Sequence, residues 1–573
     1  MSETHAAEEA NAAPAMSRRQ VLESLSGLLL GMFVSILAGT VVATSMPVIV
    51  HDLGGDQTAY TWIVTSTLLA TTVSTPIWGK LADLLNRKLL IQLALVLFVL
   101  GSALAGFSQD TNMLIGFRVV QGLGAGGLTA LSQIIMADII SPRERGRYMG
   151  LFGGVMAVGT VGGPLIGGLL TDSVGWRWNF YVGVPIAILA IILLQITLKL
   201  PKRRKKVRID YLGAIFIAAG VSLLLIWVSL AGKDFDWWSA QTIWMVGGSV
   251  ALLVAGVITE LVVKEPIIPL GLFKNRTFTL AVIASISVGV AMFGTSVFLG
   301  QYMQLARGAT PTESGLLTLP MIFGLLLSSM IVGNLISRFG KWKAYMVVGS
   351  ILLTVGLYLM STIEYDTNYV VVSVYMFVLG AGVGMVMQNL VLIVQNTVRP
   401  EQLGAASSNV AFFRSLGGTV GVSVMGSLLG TKVADMLADK QADLQAAIVK
   451  LGAQGAEVAK SLQSGSIPQP SKLPEGVRVI IESVYGQAVA DIFLVAVPLA
   501  IITIIAILFL PNITLGNKTA IERMRDETPA VQAEQAEETV VEVAEALIGA
   551  STGSLPAVRP EDGAERRRSQ EGR

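Results

Sequence analysis

Fourteen apolar stretches, each of about 20 residues or more, recur along this chain, the first near 24–49 and the last near 486–510. A helix of that length crosses a hydrocarbon core of roughly 30 Å, and no soluble core can hide so many such runs. Hydrophobic residues make up 53% of the chain and charged residues 14%, a balance that belongs to a polytopic membrane protein. The expected fold is all-α, with fourteen transmembrane helices.

Basic residues set the expected orientation. Lys80, Arg87 and Lys88, then Arg143, Arg145 and Arg147, the run 202–208, Lys274 and Arg276, and Arg338, Lys341 and Lys343 each fall between an even stretch and the odd one after it. The short opposite loops carry only Arg177, Lys233 and Arg307. An excess of Lys and Arg marks cytoplasmic loops, so both termini are expected in the cytoplasm, as for a multi-pass protein of a bacterial cytoplasmic membrane. Residues 1–20 lack the pattern of a cleaved signal peptide and read as a disordered cytoplasmic arm. The segment 513–573, acidic and then basic at Arg566–Arg568, reads as a mostly disordered cytoplasmic tail. The stretch 432–485 is long for an extracytoplasmic loop, and its alternation of apolar and charged residues up to Lys450 predicts an amphipathic helix.

Several chemistries are excluded. With no cysteine there is neither a disulfide nor a thiolate, and two histidines leave no histidine-rich metal site. No phosphate-cradling GxxxxGK[ST] loop occurs, so nothing points to ATP as the driving force. No nucleophile–base pair stands out, and the chain is expected to be no enzyme, to need no cofactor and to bind no nucleic acid. Small molecules, protons and membrane lipids are the expected partners of a monomer.

An internal repeat divides the chain. Gly79-Lys-Leu-Ala-Asp-Leu-Leu-Asn-Arg-Lys88 and Gly333-Asn-Leu-Ile-Ser-Arg-Phe-Gly-Lys-Trp342 align their Gly, Leu and late basic residues, and both lie where an even stretch enters a cytoplasmic loop. Two related six-helix halves follow, 21–200 and 277–512, with a basic loop and two inserted helices across 201–276. A second motif, Gly159-Thr-Val-Gly-Gly-Pro-Leu-Ile-Gly-Gly168, places Gly159, Gly163 and Gly167 on one helical face. Such a face lets another backbone come close, while Pro164 has no N–H for the carbonyl of Thr160 and bends the helix. From the spacing alone, a kinkable contact and the plain packing of two membrane helices fit equally well.

Charges placed deep in the stretches are informative, because an ionisable side chain in hydrocarbon is costly unless it faces a partner or a wet cavity. Arg118 lies within the fourth stretch and Arg414 near the middle of the thirteenth. Gln121, Gln133, Gln301, Tyr302, Gln304, Gln388 and Asn389, with aromatic surface from Phe412 and Phe413, are candidates to line the same cavity. Apolar walls with a few amides suit an amphipathic ligand, and interhelical hydrogen bonding is the other use for these residues. Asp83 and Arg87 form an i,i+4 pair if the second helix runs through both. Asp138 could join Arg143, Arg145 or Arg147.

With these residues assembled, the region 20–512 resembles the major facilitator superfamily, in its fourteen-helix drug:proton antiporter branch. Gly79, Asp83 and Arg87 match the loop motif between helices two and three, although Leu84 and Asn86 depart from it. Arg118, Gln121 and Gly122 match the helix-four motif, and Gly159–Gly168 match the antiporter motif of helix five. Trp176-Arg-Trp-Asn-Phe180 with Pro185 resembles a further signature of the branch. The resemblance implies proton-coupled export of amphipathic drugs by alternating access, with Asp83, its basic neighbours and Asp138 latching the halves on the cytoplasmic side. It also exposes a departure, since Ala38 stands where the branch has an aspartate tied to cation recognition and proton coupling. With so few carboxylates, a cavity holding Arg118 and Arg414 is expected to carry a positive potential and to export divalent cations weakly; the competing expectation is that Asp491, the deepest remaining carboxylate, neutralises Arg118 and carries the coupling proton. Export of an endogenous lipid or metabolite, or a non-transporting sensor on the same fold, are the alternatives.

Overall fold

In the computed structural model the described residues are 18–55, 57–198, 200, 210–232, 235–263, 265–451 and 473–524. The basic run 202–208, residues 1–17, the loop centre 452–472 and the tail from 525 lie outside them. The chain divides into a unit ending at Asn517 and a second from Lys518. In the second, Thr519 and Glu522 cap each other at the start of a helical turn. No β-strand forms among the described residues, and a single isolated bridge joins Ala231 to Phe235.

The first half contains α1 (Arg18–Asp52), α2 (Gln57–Leu84), α3 (Arg87–Gly106), α4 (Thr111–Ile139), α5 (Pro142–Ser173), the short α6 (Trp178–Tyr181) and α7 (Gly183–Thr197). The inserted pair is α8 (Tyr211–Leu230) and α9 (Ala240–Val262). The second half contains α10 (Arg276–Gln301), the short α11 (Pro311–Leu317), α12 (Leu319–Phe339), α13 (Lys343–Met360), α14 (Tyr369–Thr397), α15 (Leu403–Asp439), α16 (Gln441–Lys450) and α17 (Glu475–Leu508). In the first bundle α2 and α3 pack on α4, and α1 packs on α5 and α7. In the second, α10 packs on α15 and α17, and α14 on α12 and α13. The bundles meet where α2 crosses α15 and α5 crosses α12, and α8 leans on both α2 and α15. The end carrying Lys80, Arg87, Arg143 and Lys343 is called here the basic end.

Thirteen helices among the described residues are long and apolar enough to cross a membrane. The expected span absent from that set is the second stretch. It forms α2, 28 residues or about 42 Å long, but its sequence is rich in Thr and Ser. Those side chains are spent on packing. Thr71 Oγ1 and Trp78 Nε1 donate to the carbonyls of Gly122 and Leu123 on α4, at 3.2 and 2.9 Å, and Thr75 Oγ1 bonds back to Thr71 O at 2.7 Å. A helix clasped by α4 and α15 does not need the uniformly apolar surface of one that faces lipid.

Two boundaries differ from the expected ones. α1 begins at Arg18, inside the segment read as a disordered arm, with an Arg19–Glu23 ion pair at 2.8 Å on its first turn. At both ends, the extracytoplasmic segment expected over 432–485 is an extension of the flanking helices. α15 continues unbroken to Asp439, and α17 begins at Glu475, eleven residues before the expected start. Lys432–Asp491 at 3.0 Å and Lys440 Nζ to Ser483 Oγ at 2.8 Å tie the two extensions together. The predicted amphipathic helix is present only as the ten-residue α16, none of whose residues is buried.

Candidate functional site

At the basic end, a three-residue ionic cluster closes the crossing of α2 and α15. α2 stops at Leu84 and α3 starts at Arg87, so Asp83 and Arg87 do not share a helical face. The intervening turn brings them to 3.3 Å instead. Arg87 also ion-pairs with Asp138 near the end of α4, and its Nε donates to Ala82 O at 2.8 Å. All three side chains are buried. Asp83 then reaches into the other half: Oδ1 accepts from Gly404 N at 2.7 Å and Oδ2 from Ala405 N at 2.8 Å, both in the first turn of α15. Those N–H groups have no partner within their own helix and sit at its positive end, so a carboxylate there both satisfies them and complements the dipole. Gly79, one turn before Asp83, makes the approach possible. A Cβ there would collide with Ser408 and lie 2.8 Å from Gly404 O.

The crossing of α5 and α12 is built with the opposite charge. Arg143 Nε and Nη2 donate to the carbonyls of Ser337 and Arg338, at 3.1 and 3.2 Å, in the last turn of α12, where the dipole favours a cation. A Cβ on Gly146 would lie 2.7 Å from Gly333 O. Arg145 is fully buried and binds Gln395 on α14 and the carbonyl of Ile140, while Arg147 is exposed. The partner that sequence reasoning missed for Asp83 is backbone. A signal for it existed, because Pro400-Glu-Gln-Leu-Gly404 repeats the Pro-x-x-x-Gly spacing of Pro142-Arg-Glu-Arg-Gly146 at the start of the matching helix.

The glycine motif of α5 packs on α1. A Cβ at Gly159 would meet Ile36 Cγ2 at 2.8 Å, one at Gly163 would overlap Thr40 Oγ1, and one at Gly167 would meet Val41 O at 2.7 Å. Thr40 Oγ1 donates to Gly159 O at 3.0 Å, a contact only a bare backbone allows. Gly168 points to open space. The side chain of Pro164 lies outside the described residues. Toward the opposite end, Asn179 Nδ2 bonds Ser45 Oγ at 2.6 Å and Thr171 Oγ1 at 2.8 Å, joining α1, α5 and α6. Trp176 Nε1 donates to Asp52 Oδ2 at 2.7 Å, and this bond chiefly holds the Asp52 carboxyl below its usual pKa.

The deep polar residues separate into two groups. Arg118 is buried and hydrogen-bonded, Nη1 to Gln121 Oε1 at 2.9 Å and Nε to Ile63 O at 3.4 Å, and Gln121 Nε2 passes the chain on to Ser102 Oγ at 2.7 Å. Gln133, Gln388, Asn389 and Arg414 are also buried. Asn389 bonds Met385 O on its own helix at 2.7 Å, while Gln133 Oε1, Gln388 Oε1 and Arg414 Nη1 have no partner.

Other expected cavity residues do different work. Tyr302 opens a π-helical turn some 39 Å along from Arg276, where its hydroxyl donates to Glu364 O at 2.6 Å. Gln301 and Gln304 flank it at that end, half-buried. Phe412 packs with Val221 and Leu225 of α8, sealing the inserted pair onto α15, and Phe413 stacks edge-on against Phe273 at 6.2 Å. Asp491 pairs with Lys432, since α17 packs within the second bundle whereas Arg118 lies in the first. The Arg118–Asp491 pair expected from the sequence is therefore absent.

Two inversely charged crossings thus join two helical bundles whose buried helices carry Gln133 Oε1, Gln388 Oε1 and Arg414 Nη1 without partners. Residues 28–422 match the family model described as Major Facilitator Superfamily. The chain is 37% identical to the multidrug transporter protein MdtP of Bacillus subtilis, over 72% of this chain and 75% of that one. It is 32% identical to multidrug resistance protein 3 of the same organism, over 84% and 94%. The proton:xylose symporter XylE shares the fold at a TM-score of 0.56 and 13% identity, covering 89% of this chain and 99% of that one. The chain belongs to the major facilitator superfamily and is a multi-pass membrane transporter.

Proposed function

We propose that this transporter exports amphipathic compounds from the cytoplasm by alternating access, driven by inward movement of protons, with the basic end facing the cytoplasm. The observation that carries the reading is the lock of Asp83, Arg87 and Asp138 on the first turn of α15. A contact that closes the halves at the end rich in Lys and Arg, and that can open there in turn, is what alternating access requires of a cytoplasmic gate. The multidrug relatives in Bacillus support the same substrate breadth. In this reading Gln133, Gln388 and Arg414 face the path of the compound, while Gly163 and its neighbours let α5 bend against α1.

For the proton, Asp491 is the proposed carrier. Its carboxylate holds Lys432, and protonation would release that lysine and free the outer extensions of α15 and α17. The test is efflux from a drug-sensitive host across a panel of compounds, with and without an uncoupler, repeated in proteoliposomes with an imposed pH gradient. Export that collapses with the uncoupler and follows the gradient is expected; export indifferent to both rejects proton drive. Gradient-driven export that survives Asp491→Asn removes that residue from the role.

A further inference from the structure

Arg414 is 5% exposed and begins the fourth turn of α15, about 17 Å along the axis from Leu403. Its guanidinium makes no hydrogen bond and no ion pair among the described residues, and Nη1 is fully enclosed without a partner. The helices packed on α15 offer nothing to neutralise it. α8, α10 and α14 contain no Asp or Glu. On α2 and α4 the carboxylates are Asp83 and Asp138, both held by Arg87. On α17, Asp491 holds Lys432, Glu482 lies 3.7 Å from Arg478, and Glu475 is the first residue of the helix at its far end. On α9, beyond α8, Glu260 accepts from the backbone N–H groups of Ile267 and Ile268. A buried guanidinium retains its proton and its five donors, so it needs an anion that the described residues do not supply.

We infer that Arg414 is an anion-recognition point for the transported compound, which carries a carboxylate or a similar acidic group. Arg presents a planar fork that matches a carboxylate in two parallel hydrogen bonds, a geometry no lysine reproduces. The unpartnered buried amide oxygens on α15 and the helices against it are Gln133 Oε1, Gln388 Oε1 and Asn409 Oδ1. All are neutral acceptors, which accommodate hydroxyl or amide donors elsewhere on the same compound and add no second charge. The inference rests on the export reading for its context, but it is a statement about binding.

The experiment measures equilibrium binding of a xanthene series by fluorescence polarisation to the purified full-length protein in nanodiscs. Fluorescein carries the carboxylate, fluorescein methyl ester lacks it, and rhodamine 6G is a cation. Wild type is expected to bind fluorescein at least tenfold more tightly than the ester. Arg414→Gln should abolish that preference while changing ester binding by less than about twofold, and Arg414→Lys should restore only part of it. Equal affinity of wild type for acid and ester overturns the inference without need of any variant, as does a loss in Arg414→Gln shared by all three dyes. A preference present in gluconate buffer but erased by chloride assigns Arg414 to a small inorganic anion and also overturns it. Binding with the expected preference but no efflux would instead reject the export reading and leave this one standing.

Discussion

Arg87 is the residue on which the lock depends, because it is the cation that stands between the two buried carboxylates Asp83 and Asp138. Breaking one partner of such an assembly costs about 3–5 kcal/mol, here charged to the closed state alone. Asp83 carries the link across the halves, with one oxygen for each of two backbone donors. Asn in its place keeps one acceptor and loses the charge that complements the helix end, so closure should weaken while ligand affinity stays near wild type. The chain has no cysteine, and Ser408→Cys therefore introduces a unique label beneath Gly79. Its alkylation is expected to accelerate about tenfold in Asp83→Asn and in Arg87→Ala. An unchanged rate, together with normal transport, would show that the cluster is not a lock.

Among the elements, α5 serves two contacts with one sequence. Its glycine face presses on α1, and its first turn crosses α12 through Gly146 and Arg143. A side chain at Gly163 must displace Thr40, whereas one at Gly168 meets nothing within 4 Å. Gly163→Leu should leave protein in the membrane but reduce efflux to roughly a tenth or less, since overpacking by several carbons costs more than about 1–3 kcal/mol. Gly168→Ala should transport within about twofold of wild type. Equal efflux by both variants would mean that the motif acts through something other than backbone approach. The same logic explains why the second stretch is less apolar than its neighbours, for α2 is polar where α4 and α15 replace lipid.

On the scale of the whole molecule, the distribution of charge sets selectivity. Both deep arginines are buried, as is Ala38 of α1, and Asp491 is occupied by Lys432. The interior therefore carries a positive potential that repels a dication most strongly. Dication efflux by wild type should fall at least tenfold below that of a matched neutral dye, and Ala38→Asp should narrow the gap. Strong wild-type export of dications would contradict this account of the interior.

The membrane class and the glycine face of α5 were legible in the chain because each is a periodic property. Apolar length and four-residue spacing survive without knowledge of any partner. Tertiary structure alone decided which groups meet. Asp83 binds backbone N–H groups 321 residues away, and a main-chain donor has no signature in residue identity. Tyr302 and Phe412 read as cavity residues because polarity and aromaticity mark burial without saying against what, and folding placed them on a loop carbonyl and an inserted helix. Asp491 was matched to Arg118 by depth, yet charges pair by proximity, and α17 packs with the half that contains Lys432. Arg414 shows the reverse. Its depth was evident from the sequence, but only the packed helices revealed that no carboxylate among the described residues pairs with it.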